Sequence, residues 1–126
     1  MPKRVDFQAK PVFLVLFLAV AMGWSSCGKD TITMFDCTGI SPSYAVDIKP
    51  ILNASCALSG CHDAYSPNAG YDFSSYNSAS SGSQSGRFLG AIQQKRGYLA
   101  MPNGLPKLSD NNIKLLTCWV QNGSPK

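Results

Sequence analysis

The chain has no glutamate and a single histidine, His62. Paired-carboxylate acid–base chemistry would therefore have to come from aspartates alone, of which six remain once Asp6 in the N-terminal segment is set aside, and this leaves little room for such an enzyme. Charge is sparse, with only 14% of the 126 residues being Asp, Lys or Arg. The formal net charge is +4, but from Cys27 onward eight bases face six acids in an even spread, too weak a bias to point to nucleic acid as a partner. A membrane-spanning run is also missing: the longest apolar stretch, residues 12–22, has eleven residues where a spanning helix needs roughly 20. No internal repeat occurs. What is present is 44% hydrophobic residues, which excludes disorder throughout and bounds the chain to one modest domain.

The first 26 residues have the layout of an export signal, with Lys3, Arg4 and Lys10 ahead of the apolar run VFLVLFLAVAM. The segment ends Gly23-Trp24-Ser25-Ser26-Cys27, which resembles the lipobox of bacterial lipoproteins, although Trp24 stands where that family usually has a branched aliphatic residue. The resemblance implies that Cys27 becomes the acylated first residue of an exported chain, held at a membrane surface through its acyl chains in the periplasm or at the outer surface. The expected organisation is a signal peptide over 1–26, a lipid-anchor tether over 27–43 and one domain over 44–126. Ordinary secretion and an uncleaved anchor are the alternatives.

Five cysteines are an odd number for a disulfide-permissive compartment, and lipid on Cys27 would leave Cys37, Cys56, Cys61 and Cys118. Cys61 is followed by the only histidine. The stretch Cys56-Ala57-Leu58-Ser59-Gly60-Cys61-His62 resembles the haem-attachment motif of class I c-type cytochromes, with four residues between the cysteines where the usual motif has two. Four-residue spacers are known in that family, and Gly60 can take the unusual backbone state that the longer span needs. The resemblance implies one covalent haem c, attached through Cys56 and Cys61, with His62 as proximal iron ligand. Downstream, Met101-Pro102 lies in a loop bounded by Gly97 and Gly104 and resembles the distal methionine loop of the same family, which makes Met101 the expected second iron ligand. Met34, in the tether, is the weaker candidate. Pro67 is a candidate for accepting the His62 ring N–H, a role known in these cytochromes.

The coarse pattern of elements agrees with an all-α domain. Ser43 can cap a helix over residues 44–54 that Pro50 kinks or restarts. Residues 66–86 are serine-rich and read as a surface loop, with Tyr71, Phe73 and Tyr76 as anchors against an apolar ligand. Phe88, Leu89 and Ile92 give helical spacing over 87–96, with Gly97 as C-cap. Lys95 and Arg96 read either as a docking patch for an acidic redox partner or as a solvated helix end. The last helix is best defined: Ser109 caps it, Asp110 suits its positive end, Gly123 stops it, and Ile113, Leu116, Trp119 and Val120 share one face. In class I cytochromes c an aromatic residue often sits where the C-terminal helix crosses the helix before the attachment motif, and Trp119 resembles it. The resemblance thus implies a small cytochrome c-like fold of three to four helices around one haem.

Cys37 and Cys118 are left over, and a disulfide between them would join the tether to the last helix. The alternative leaves Cys37 free and Cys118 as a small buried hydrophobe. Other readings of the central motif are a short Cys56–Cys61 disulfide beside an incidental His62, and a zinc site using Cys56, Cys61 and His62 with Cys37 or Cys118. Met101 could equally be a flexible core filler. The function expected is single-electron transfer to redox partner proteins of an electron-transfer chain, without enzymatic turnover unless the sixth iron position is open. The alternative is a non-redox, disulfide-stapled surface lipoprotein with a binding or adhesion role.

Overall fold

A computed structural model describes residues 28–126; the signal segment and Cys27 lie outside the described residues. The described part is helical with no strands, as the all-α expectation has it. Its one β-type contact is an isolated antiparallel bridge between His62 and Pro67. Among the described residues no helix is long and apolar enough to cross a membrane.

The helix expected over residues 44–54 is divided in two. Ser43 Oγ accepts from Val46 N at 3.3 Å while the Asp47 carboxylate accepts from Ser43 N at 2.8 Å, a reciprocal cap that starts a π-helical turn, Tyr44–Ile48. Helix α1, Lys49–Ser55, follows directly with Pro50 in its first turn. Proline has no N–H and its ring crowds the carbonyl four residues back, so an α-helix cannot run through it. The wider turn, with Ile48 N bonded to Ser43 O at 3.2 Å, carries the chain past that obstacle, and Pro50 restarts the helix where its missing donor costs nothing.

The serine-rich stretch departs from the expected surface loop, since it contains helix α2, Tyr76–Ser83, capped by Ser75 Oγ on Ser78 N. It buries no apolar stripe beyond Ala79. Instead the buried Ser83 hydroxyl pairs with Ser124 Oγ at 3.0 Å, and Gln84 Nε2 donates to the same oxygen at 2.8 Å. Helix α3, Phe88–Ile92, is shorter than the 87–96 expected. Gln94 turns into the left-handed region (φ 54°), Lys95 N closes back on Gly90 O at 3.0 Å, and Gly97 belongs to the next turn.

Helix α4, Asp110–Gln121, follows the sequence pattern. Ser109 Oγ accepts from Asn112 N at 3.2 Å, and Ile113, Leu116 and Trp119 are buried. The Trp119 ring lies 6.0 Å from that of Tyr44 and its Nε1 donates to Pro125 O at 2.7 Å, so α4 crosses the first helical turn at an aromatic contact. Ile48 and Leu52, fully buried, complete this core.

Residues 28–43 were expected to run as a tether, but the structure straps them to the helices. The Gln93 side-chain amide bonds both Thr33 N and Thr33 O at 2.8 Å, and the Gln121 amide does the same for Phe35 at 3.2 Å. A disulfide joins Cys37 to the fully buried Cys118, 81 residues away. Each glutamine thus satisfies a backbone donor and acceptor that an extended strap would otherwise leave bare.

Candidate functional site

The chain leaves α1 through Cys56, which caps the helix with its N–H on Leu52 O at 2.8 Å, and then makes a compact loop. Gly60 adopts φ 77°, a left-handed state natural for glycine. Around it Gly60 N donates to Ser66 Oγ at 2.9 Å and Asn68 Nδ2 donates to Gly60 O at 2.7 Å. Asn68 N donates to Cys61 O at 3.0 Å, and His62 N to Cys56 O at 3.2 Å. The four-residue spacer is therefore accommodated by a hydrogen-bonded loop that returns Cys61 and His62 beside Cys56.

The His62 ring is fixed on three sides. Its Nδ1 stands 3.1 Å from Tyr71 O, and a carbonyl can only accept, so Nδ1 is the donor and Nε2 is the ring nitrogen left free of this contact. Phe73 and Tyr71 present edge contacts at centroid distances of 5.4 Å and 6.3 Å. The acceptor is not Pro67, whose carbonyl takes Gly70 N at 2.9 Å to close a 3₁₀ turn. Cys56 and Cys61 are free thiols, so they do not form the short disulfide considered from sequence. Burial, with a smaller contribution from Cys61, pushes the Cys56 thiol up to about 11.

Met101 comes from the loop after α3, held by its backbone N–H on Ala91 O at 3.1 Å and joined to Pro102 by a cis peptide bond. Cys56, Cys61, His62 and Met101 all lie on the wall of one cavity of about 570 Å³. That volume is in the range of small-molecule and cofactor sites, about 300–1,000 Å³. Tyr71, Phe73, Phe88, Ile92, Tyr98, Leu99 and Leu105 supply apolar wall, and Ser85 Oγ on the same wall is buried with no hydrogen-bond partner. Such an orphaned hydroxyl suits a ligand carrying a polar group. The wall includes no carboxylate; its charged members are Lys29 and Arg87, both exposed.

These features fit a covalently held haem: two free thiols, an imidazole held through Nδ1, a thioether and an apolar slot line one cavity. Cys37 and Cys118 are bonded to each other, so neither is the fourth ligand that the zinc reading of the sequence called for. Met34 is exposed on the strap and absent from the cavity wall. Tyr76 also stays off that wall; it packs on Tyr44 at 5.2 Å and donates to Ser124 O. Lys95 and Arg96 fall beyond the end of α3, where Arg96 Nε pairs with Asp30 at 3.1 Å. Sequence reasoning missed Tyr98, Ser85, Arg87 and Lys29 as wall residues. Gly90 inside an apolar helix was the one available signal: the Tyr98 ring lies over it.

Lipid attachment at Cys27 lies outside the described residues. No protein-family model, no curated protein and no solved structure matches this chain.

Proposed function

We propose that this chain is an exported c-type cytochrome carrying one covalent haem and moving single electrons to and from redox partner proteins, anchored to a membrane by lipid on Cys27. The observation that carries the reading is the meeting of Cys56, Cys61, His62 and Met101 on one apolar cavity, with the His62 Nδ1 proton committed to Tyr71 O. Cys56 and Cys61 would hold the group by thioether links, and His62 Nε2 and the Met101 sulfur would ligate its iron. The haem supplies a one-electron iron couple when bound.

The remaining work falls to the protein. The Tyr71 carbonyl orients the imidazole by accepting from Nδ1. Phe73, Phe88 and Ile92, all buried, keep water from the inner wall and lower the local dielectric. Leu99 and Leu105 leave the outer wall exposed.

The test is expression in a host with cytochrome c maturation machinery, followed by haem staining after denaturing electrophoresis and by visible spectra of both oxidation states. Haem retained through denaturation, lost in Cys56→Ser with Cys61→Ser, is the expected result. Met101→Ala should retain stain and change the spectrum. A colourless chain beside a control cytochrome that matures would overturn the reading in favour of a disulfide-stapled surface lipoprotein. Loss of lipid incorporation in Cys27→Ser is the separate check on the anchor.

A further inference from the structure

The described chain begins at the mouth of the cavity. Asp30 N donates to Arg96 O at 3.0 Å, and the Asp30 carboxylate accepts from Arg96 N and Nε at 3.0 and 3.1 Å. One residue earlier, Lys29 lies on Gly97 so closely that a Cβ there would meet Lys29 Cγ at 2.6 Å. Lys29 Nζ also stands 5.1 Å from the Tyr98 ring centroid. Lys29, Gly97 and Tyr98 all belong to the cavity wall. Gly28 and Lys29 are the first described residues, so the segment before them joins the described fold here. The N-terminal segment, with its basic start and apolar run, is therefore attached at the rim of the cavity and not at the far side of the fold.

The rim has the composition that a lipid surface selects. Leu99 is 68% and Leu105 47% exposed, a high exposure for two leucines sharing one wall. Lys29 and Arg87, both exposed, are the charged residues of the same wall, which carries no carboxylate. Cations flanking protruding apolar side chains match phosphate headgroups over an acyl layer. Attachment at the rim also keeps this patch at high local concentration beside any membrane that holds the N-terminus, so weak contacts suffice.

We propose that this rim docks on a bilayer containing anionic phospholipid, with Leu99 and Leu105 entering the headgroup boundary and Lys29 and Arg87 on phosphates, so that the cavity opens toward the membrane. The inference rests on the anchoring role of the residues before Gly28, and is independent of what the cavity holds. Either lipid on Cys27 or the apolar run serves as the anchor.

The test uses the full chain, matured by export and returned to vesicles of phosphatidylcholine with phosphatidylglycerol, some lipids carrying brominated acyl chains. Leu99→Trp and Leu105→Trp place a quenchable indole on the rim at exposed positions, while Val46→Trp places one at a 75% exposed site off the cavity wall. The chain without an added tryptophan supplies the baseline. Several-fold stronger quenching at 99 and 105 than at 46 is expected, falling to the level at 46 in Lys29→Glu with Arg87→Glu while the chain still floats with the vesicles. Equal quenching at all three positions in floating chains would overturn the docking and leave the anchor standing. Failure to float would overturn it at the anchor, and haem staining of the same samples reports on the electron-transfer reading separately.

Discussion

At Gly90 helix α3 presents no side chain, and the ring of Tyr98 lies where a Cβ would stand. Gly90→Ala gains helix propensity of about 1 kcal/mol and suffers overpacking of about 1–3 kcal/mol, so a net loss of stability is expected in denaturant unfolding. A double-mutant cycle with Tyr98→Ala should show the two positions strongly coupled; additive effects would refute the contact. Cys56 gives a second prediction at this scale. Its thiol is raised from the usual 9.0 to about 11, so in the haem-free chain the folded state holds a proton that the unfolded state has released. The stabilisation is whole below pH 9.0 and disappears as pH rises through about 11, a loss of about 2–3 kcal/mol relative to Cys56→Ala. Denaturant midpoints across that window, wild type against variant, measure it; parallel curves would refute it. That Cys56, Cys61, His62 and Met101 belong to one site was legible because adjacent residue types carry the signal, and all four line the same cavity. The carbonyl facing His62 was not, because main-chain oxygens have no letter, and which one arrives depends on how the loop after the motif folds back.

Among the elements, α4 could be read to its ends because its cap, its charge and its apolar face are all local. The first helix could be read in outline, with Pro50 marking the break but not the widened turn that bridges it. Helix α2 could not, since serine favours caps and turns over helix interiors, and the bonds that hold it come from Ser124 at the other end of the chain. The disulfide from the strap to α4 was one of the two readings of Cys37 and Cys118, but the strap's other contacts were hidden for the same reason: Gln93 and Gln121 meet Thr33 and Phe35 across 60 and 86 residues. Its covalent link makes the third prediction. Replacing Cys37 and Cys118 together by serine opens a cross-link spanning 81 residues and should cost about 4 kcal/mol by chain entropy, with the buried serine at 118 adding to the loss. Thermal unfolding of the variant against the oxidised parent checks this. An unchanged midpoint would mean that the glutamine contacts alone hold the strap.

At the scale of the whole molecule, one core and one cavity share their walls. Phe73, Phe88 and Ile92 belong to both, so filling the cavity and consolidating the helices are the same event. Folding and ligand retention should therefore be linked, as binding to the native state alone requires. The bridge between Cys37 and Cys118 has a further consequence in time. A chain emerging from its N-terminus shows Cys27 and Cys37, then Cys56 and Cys61, and Cys118 only 57 residues after Cys61. Until Cys118 emerges, the thiols that follow Cys37 are Cys56 and Cys61, the two that the proposed haem attachment needs reduced. Premature oxidation would capture the proposed attachment residues, so maturation of the proposed cytochrome calls for an attendant reductant that holds or resets the early thiols until the last helix arrives.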